Sequence, residues 1–109
     1  MQIIIVGGGS VGFALAELLA AENQDVIVIE KNAEKIKRLS LELGTMVIED
    51  NGASPAALGR AGIKKTEILI AVTEIDEVNM ISCMIAKKMG VPITVARVRN
   101  VEYTESFQA

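Results

Sequence analysis

Histidine is absent from all 109 residues of this chain. That removes the side chain most used for proton transfer near neutral pH, and with it any histidine-containing metal site. Aromatic residues are scarce, amounting to two phenylalanines and one tyrosine. A reductase pair with Lys four residues after Tyr is missing, because Phe107 occupies that position after Tyr103. The single cysteine, Cys83, has no partner for an internal disulfide, and among Met80, Ile81, Met84 and Ile85 it reads as a small buried hydrophobe. Asp76 and Glu77 stand together at the start of a helical pattern, where they serve the helix dipole better than a metal. No catalytic residue and no metal ligand is expected.

Basic charge is also in short supply. The net charge is -3 and no run of Lys or Arg exceeds two residues, so neither nucleic acid nor an anionic membrane surface is an expected partner. Glycines and Glu17 interrupt the N-terminal apolar run well short of a membrane span, and no basic segment precedes it. The expected location is cytoplasmic. At this length, with half of the residues apolar, a single domain with one core is expected.

What is present begins at once. Residues 3 to 12 read IIIVGGGSVG, a β-branched run that empties into GxGxxG. In such a turn Gly7 reverses the chain, Gly9 lets backbone approach a pyrophosphate, and Gly12 lets the next helix lie close to the strand. Free N–H groups at the helix N-terminus then face the phosphates. The context supports this reading: a strand precedes the turn, and a helix follows with Val11, Leu15, Leu18 and Leu19 spaced as one apolar face. A second strand, Asp25 to Glu30, ends in a carboxylate about 20 residues past the turn, placed to accept from both hydroxyls of an adenosine ribose.

Strand and helix patterns alternate throughout. Strands are expected at 2–6, 25–30, 45–49, 67–72 and 93–98, and helices at 11–22, 32–43, 55–61 and 75–89. Asn32 and Ser54 read as N-caps, Pro55 as an N1 proline, and Gly44 as a helix stop. With right-handed crossovers the result is a Rossmann-like α/β fold, a doubly wound parallel sheet of order 3-2-1-4-5. Its switch point lies between strands 1 and 4, where ligands bind over the strands' carboxyl ends. That rim carries Gly7 to Gly12, Glu30 and Lys31, Asp50-Asn51-Gly52, Thr73 and Glu74, and Arg97. Arg97 and Arg99 are expected on one face of the last strand, and Tyr103 and Phe107 in an exposed tail.

The stretches Ile3 to Gly12, Asn51 to Pro55, Ala71 to Met80 and Ala96 to Asn100 (IIIVGGGSVG, NGASP, AVTEIDEVNM and ARVRN) together resemble the nucleotide-binding N-domain of TrkA-type potassium-uptake regulators, also called RCK or KTN domains. The resemblance runs over essentially the whole chain. It implies a cytosolic regulator beneath a membrane potassium-translocating subunit, responsive to NAD(H) or ATP/ADP, and assembled as a homodimer or higher homo-oligomer. It places Gly7, Gly8, Gly9, Ser10 and Val11 on the pyrophosphate and Glu30 on the ribose. Thr73 and Glu74 would lie near the far end of the nucleotide, and Arg97 near phosphate. Where the family often has Gly-Asp-Ala after the third strand, this chain has Asp50-Asn51-Gly52. The family's C-terminal domain and hinge helix are not in these 109 residues, so the chain reads as a domain truncated at its C-terminal end. The alternative from a different class is the cofactor-binding half of an NAD-dependent dehydrogenase; the missing base favours the sensor.

Overall fold

The structure, a computed structural model, describes the backbone of residues 2–108 and the side chains of residues 2–104. Its centre is β1, Gln2–Val6, in which Ile3, Ile4, Ile5 and Val6 are all buried. A strand with four consecutive apolar positions needs cover on both faces, and this one has it. Ile3 and Ile5 pack with Ala16, Val28 and Leu39 on one side. Ile4 and Val6 pack with Leu58, Ala61, Leu69 and Ala86 on the other. The alternation of a strand's side chains thus builds two cores from one run of sequence.

Around β1 the sheet adds β2 (Asp25–Glu30), β3 (Met46–Glu49), β4 (Thr66–Ala71) and β5 (Ile93–Ala96). All pairings are parallel, in the order β3-β2-β1-β4-β5 expected from the alternating pattern. Helices α1 (Ser10–Ala21) and α2 (Ala33–Glu42) cover one face, α3 (Pro55–Arg60) and α4 (Asp76–Lys88) the other. The Asn32 side chain accepts from the Lys35 N–H at 3.0 Å and Ser54 from the Ala57 N–H at 3.2 Å, so both caps form as expected.

Three expectations need correction. The face that α1 buries is built on Gly12 and Ala16, with Leu15 and Leu19 partly covered, whereas Val11 and Leu18 are exposed. Small residues lead there because α1 lies hard against the preceding turn: a β-carbon on Gly12 would come within 1.8 Å of the Gly7 carbonyl oxygen. Second, β5 ends at Ala96: the Arg97 N–H still reaches the Ala71 carbonyl of β4 at 2.9 Å, but Arg99 lies beyond the strand. Third, the tail is helical, α5 spanning Val101–Gln108, and Tyr103 is half-buried rather than exposed. The Phe107 side chain lies outside the described residues. A 3-10 turn, Ile63–Lys65, also precedes β4.

Two polar clusters fix the ends of β4 and β5. Asn79, fully buried on α4, accepts from the Thr73 N–H (2.9 Å) and hydroxyl (2.7 Å) and donates to the carbonyls of Thr73 (3.0 Å) and Arg97 (2.8 Å). Asp76 accepts from the N–H groups of Arg99 (3.0 Å) and Asn100 (2.8 Å), while the Tyr103 hydroxyl donates to Glu77 Oε2 at 2.6 Å. The two carboxylates therefore fasten the start of α5 as well as serving the dipole of α4. The backbone N–H groups of Arg99 and Asn100 hold Asp76 below its ordinary value, and the Tyr103 hydroxyl does the same for Glu77.

Replacing Asn79 with alanine strands the Thr73 N–H and the Arg97 carbonyl in a partly buried place, at a cost of about 2 kcal/mol. Urea denaturation should show that loss; a change below about 0.5 kcal/mol would remove Asn79 from its assigned role. Because folding lowers Asp76 and Glu77, the support they give α5 is complete above the ordinary carboxylate range and is lost as pH falls through their depressed folded values. Emission from Tyr103, the sole tyrosine in a chain without tryptophan, should stay constant down through pH 4.5 and change only below it. A transition above pH 5 would contradict the pairing.

Candidate functional site

A crevice of about 270 Å³ opens at the carboxyl ends of the strands, over the switch point between β1 and β4. Its apolar floor is Val6, the last residue of β1, Ile29, the last but one of β2, and Val72, the first beyond β4. One wall is the glycine turn. Gly7 holds φ +107°, a conformation in which a side chain would be strained, and a β-carbon there would stand only 3.0 to 3.1 Å from Val72 and Thr73 atoms. Its N–H reaches the Ile29 carbonyl at 2.9 Å, carrying the sheet's bonding into the turn.

The N-terminus of α1 faces this space without a side-chain cap. The first helical bond runs from the Phe13 N–H to the Gly9 carbonyl at 2.8 Å, leaving the N–H groups of Ser10, Val11 and Gly12 with no internal acceptor. Together with the dipole, these donors can bind an anion. The space over Gly9 is open: the nearest atom to a β-carbon built there is Lys35 Nζ, at 3.7 Å.

Glu30 ends β2 and is nearly buried. Its Oε1 accepts from the Gly8 N–H at 2.6 Å, and Oε2 from the N–H groups of Lys31 and Asn32, each at 2.9 Å. A carboxylate offers about four acceptor positions, so about one remains, on Oε1. The grip on both ribose hydroxyls expected from the sequence therefore reduces to one free acceptor position. Asp50 is engaged as well, by Arg60 at 2.7 Å and by the Asn51 N–H at 2.6 Å, and Arg60 first, then Asn51, hold its carboxyl below the ordinary range.

Of the thirteen residues singled out by sequence, the structure brings Gly7, Gly9, Ser10, Val11, Glu30, Lys31, Asp50, Asn51, Thr73, Glu74 and Arg97 to the crevice lining. Gly8 and Gly12 stand behind it. Gly8 faces α2, where a β-carbon would meet Leu39 Cδ1 at 2.6 Å, and Gly12 sits beneath the turn. Arg97 faces the crevice, but Arg99 turns away and donates from Nη2 to the Glu74 carbonyl at 3.2 Å. Sequence reasoning missed Lys35, Ile75 and Val78 in the lining, and Asn79 behind Thr73. The Asn32 cap held the signal for Lys35, since a helix starting there places residue 35 one turn in, above the end of β2. Cys83 is half-buried against the α4 core, and desolvation pushes its thiol up to about 11, as suits an inert hydrophobe.

The chain is similar to proteins of known lineage. It is 43% identical over 105 residues to the Trk system potassium uptake protein TrkA homolog of Archaeoglobus fulgidus, covering 96% of this chain and 24% of that protein. To the homolog from Methanothermobacter thermautotrophicus it is 35% identical over 108 residues, covering 99% and 50%. It thus spans about a quarter to a half of the relatives it matches. Among solved structures, the C-terminal domain of Shewanella denitrificans Kef in its AMP-bound form superimposes with a TM-score of 0.83 at 18% identity, covering 99% of this chain and 65% of that one. The NAD(P)-binding domain of an exopolyphosphatase-related protein from Archaeoglobus fulgidus gives 0.81 at 21% identity, with coverages of 97% and 79%. At those identities the likeness establishes the fold. The TrkA-N domain matches residues 3–109, and this chain belongs to that family.

Proposed function

We propose that this chain is the adenine-nucleotide-sensing module of a potassium-uptake system, binding NAD(H) or ATP/ADP and consuming neither. The observation that carries this reading is the convergence on one crevice of an uncapped helix N-terminus, an open face over Gly9, and the Glu30 carboxylate. The N–H groups of Ser10, Val11 and Gly12 hold the phosphates, Glu30 takes a ribose hydroxyl, and Thr73, Glu74 and Arg97 meet the far end of the nucleotide. Gly8 and Gly12 act by shaping the turn.

Membership of the TrkA-N family and relatives named as Trk potassium uptake proteins support the regulatory assignment. The partner is a membrane potassium-translocating subunit, and the module works as a homodimer or higher homo-oligomer on the cytoplasmic side. No helix among the described residues is long and apolar enough to cross a membrane, which fits attachment through that partner. The chemistry favours sensing over turnover, because the chain has no histidine and no Tyr–Lys pair to move a proton.

Gly9→Val places a branched side chain over the phosphate position while touching little protein, so calorimetry should show ADP and NADH binding lost with the fold intact. Undiminished affinity would overturn the site assignment. Glu30 also sets a preference among dinucleotides. A 2′-phosphate about 4 Å from its carboxylate, at an effective dielectric of about 20, is repelled by up to about 4 kcal/mol. Lys31, an exposed ammonium, returns little of that. NADH should therefore bind at least about tenfold more tightly than NADPH, and equal affinities would mean that Glu30 does not face the ribose.

A further inference from the structure

Lys31, Lys35 and Arg97 all bring cationic side chains to the crevice lining, and of the three Lys35 is the one beside Gly9. Its side chain is half-buried one turn into α2, and its Nζ stands 3.7 Å from the position of a β-carbon on Gly9. Among the described residues its ammonium has neither an ion pair nor a hydrogen bond. Two cations outside the crevice lining are occupied. Arg38 pairs with Glu42 at 2.7 Å and lies over the Phe13 ring, and Arg60 pairs with Asp50. The nearest carboxylate in the turn, Glu30, is held by three backbone N–H groups.

An ammonium suspended near the positive end of α1 gains nothing from that helix by itself. An anion between the two would be stabilised by both, from opposite sides. We propose that Lys35 is a specificity-determining residue that reads phosphate charge, making the crevice select phosphorylated adenosine ligands over adenosine itself. The inference rests on the nucleotide reading above and adds to it a particular side chain and a particular discrimination. It also predicts a contribution to affinity that weakens with salt, because a half-exposed ammonium is screened.

The test is calorimetric titration of the wild-type chain and the variants Lys35→Gln, Lys35→Arg and Lys37→Gln with ADP and with adenosine. Lys37 is exposed on the same helix outside the crevice and removes an identical charge. Loss of one charge-assisted hydrogen bond should weaken ADP about tenfold or more in Lys35→Gln and leave adenosine unchanged. Lys35→Arg should recover most of the loss, and Lys37→Gln should stay within about twofold of wild type. Thermal unfolding of each variant establishes that the fold is intact. If Lys35→Gln binds ADP as wild type does, or if Lys37→Gln loses as much, the proposal fails while the nucleotide site stands. If adenosine binding falls as steeply as ADP binding, Lys35 does not read phosphate and the proposal fails. If the wild-type chain binds no ADP, adenosine or NADH, the nucleotide reading falls first and takes the proposal with it.

Discussion

The Glu30 carboxylate is the constraint on which the site depends. It gathers the N–H groups of Gly8, Lys31 and Asn32, and so joins the glycine turn, the end of β2 and the entry to α2 at one point. The Gly8 donor would otherwise lie unpaired in a buried place, at a cost of about 1–3 kcal/mol. With the turn held at Gly8, Gly7 can keep its positive φ and α1 can settle on the Gly7 carbonyl through Gly12. The open N–H groups of α1 are aimed into the crevice as a consequence. The carboxylate proposed to meet a ribose is therefore also what keeps the glycine turn in shape.

The opposite rim is held by an equivalent device. Asn79 ties the first residue past the β4–Val72 run to the first residue past β5, and it does so with both ends of its amide satisfied. Arg97 is thereby positioned by its backbone, leaving its side chain to the crevice. Two residues on, the chain is gripped again by Asp76, and Tyr103 anchors α5 to Glu77. The far end of the crevice and the start of α5 are thus consecutive parts of one hydrogen-bonded path, through Asn79 and Asp76 of a single helix.

Most of the architecture was legible because it is written locally. Five apolar runs, the Asn32 and Ser54 caps and the crossover rule lead to the observed sheet order without tertiary information. What was not legible depends on partners distant in sequence. On α1 the large apolar residues suggest one core face, whereas contact with the turn selects Gly12 and Ala16. The helix α5 is secured at its start by Asp76 and Glu77, more than 20 residues away in sequence. Lys35 reads as an ordinary surface lysine until α2 is laid beside the turn. The spacing alone points to Glu30, but its three backbone bonds, which leave about one acceptor position, appear only in three dimensions.

The central claim is that one crevice, walled by the Gly7 to Val11 turn and by Glu30, Thr73 and Arg97, takes an adenine nucleotide. Amide chemical shifts of the isotope-labelled chain during titration with ADP test it most directly. The account predicts saturable shifts largest at Gly9, Ser10, Val11 and Gly12, with smaller ones at Lys31, Thr73 and Arg97, and none along α3 beyond Pro55. Shifts that cluster elsewhere, or none at millimolar ADP and NADH, would contradict it.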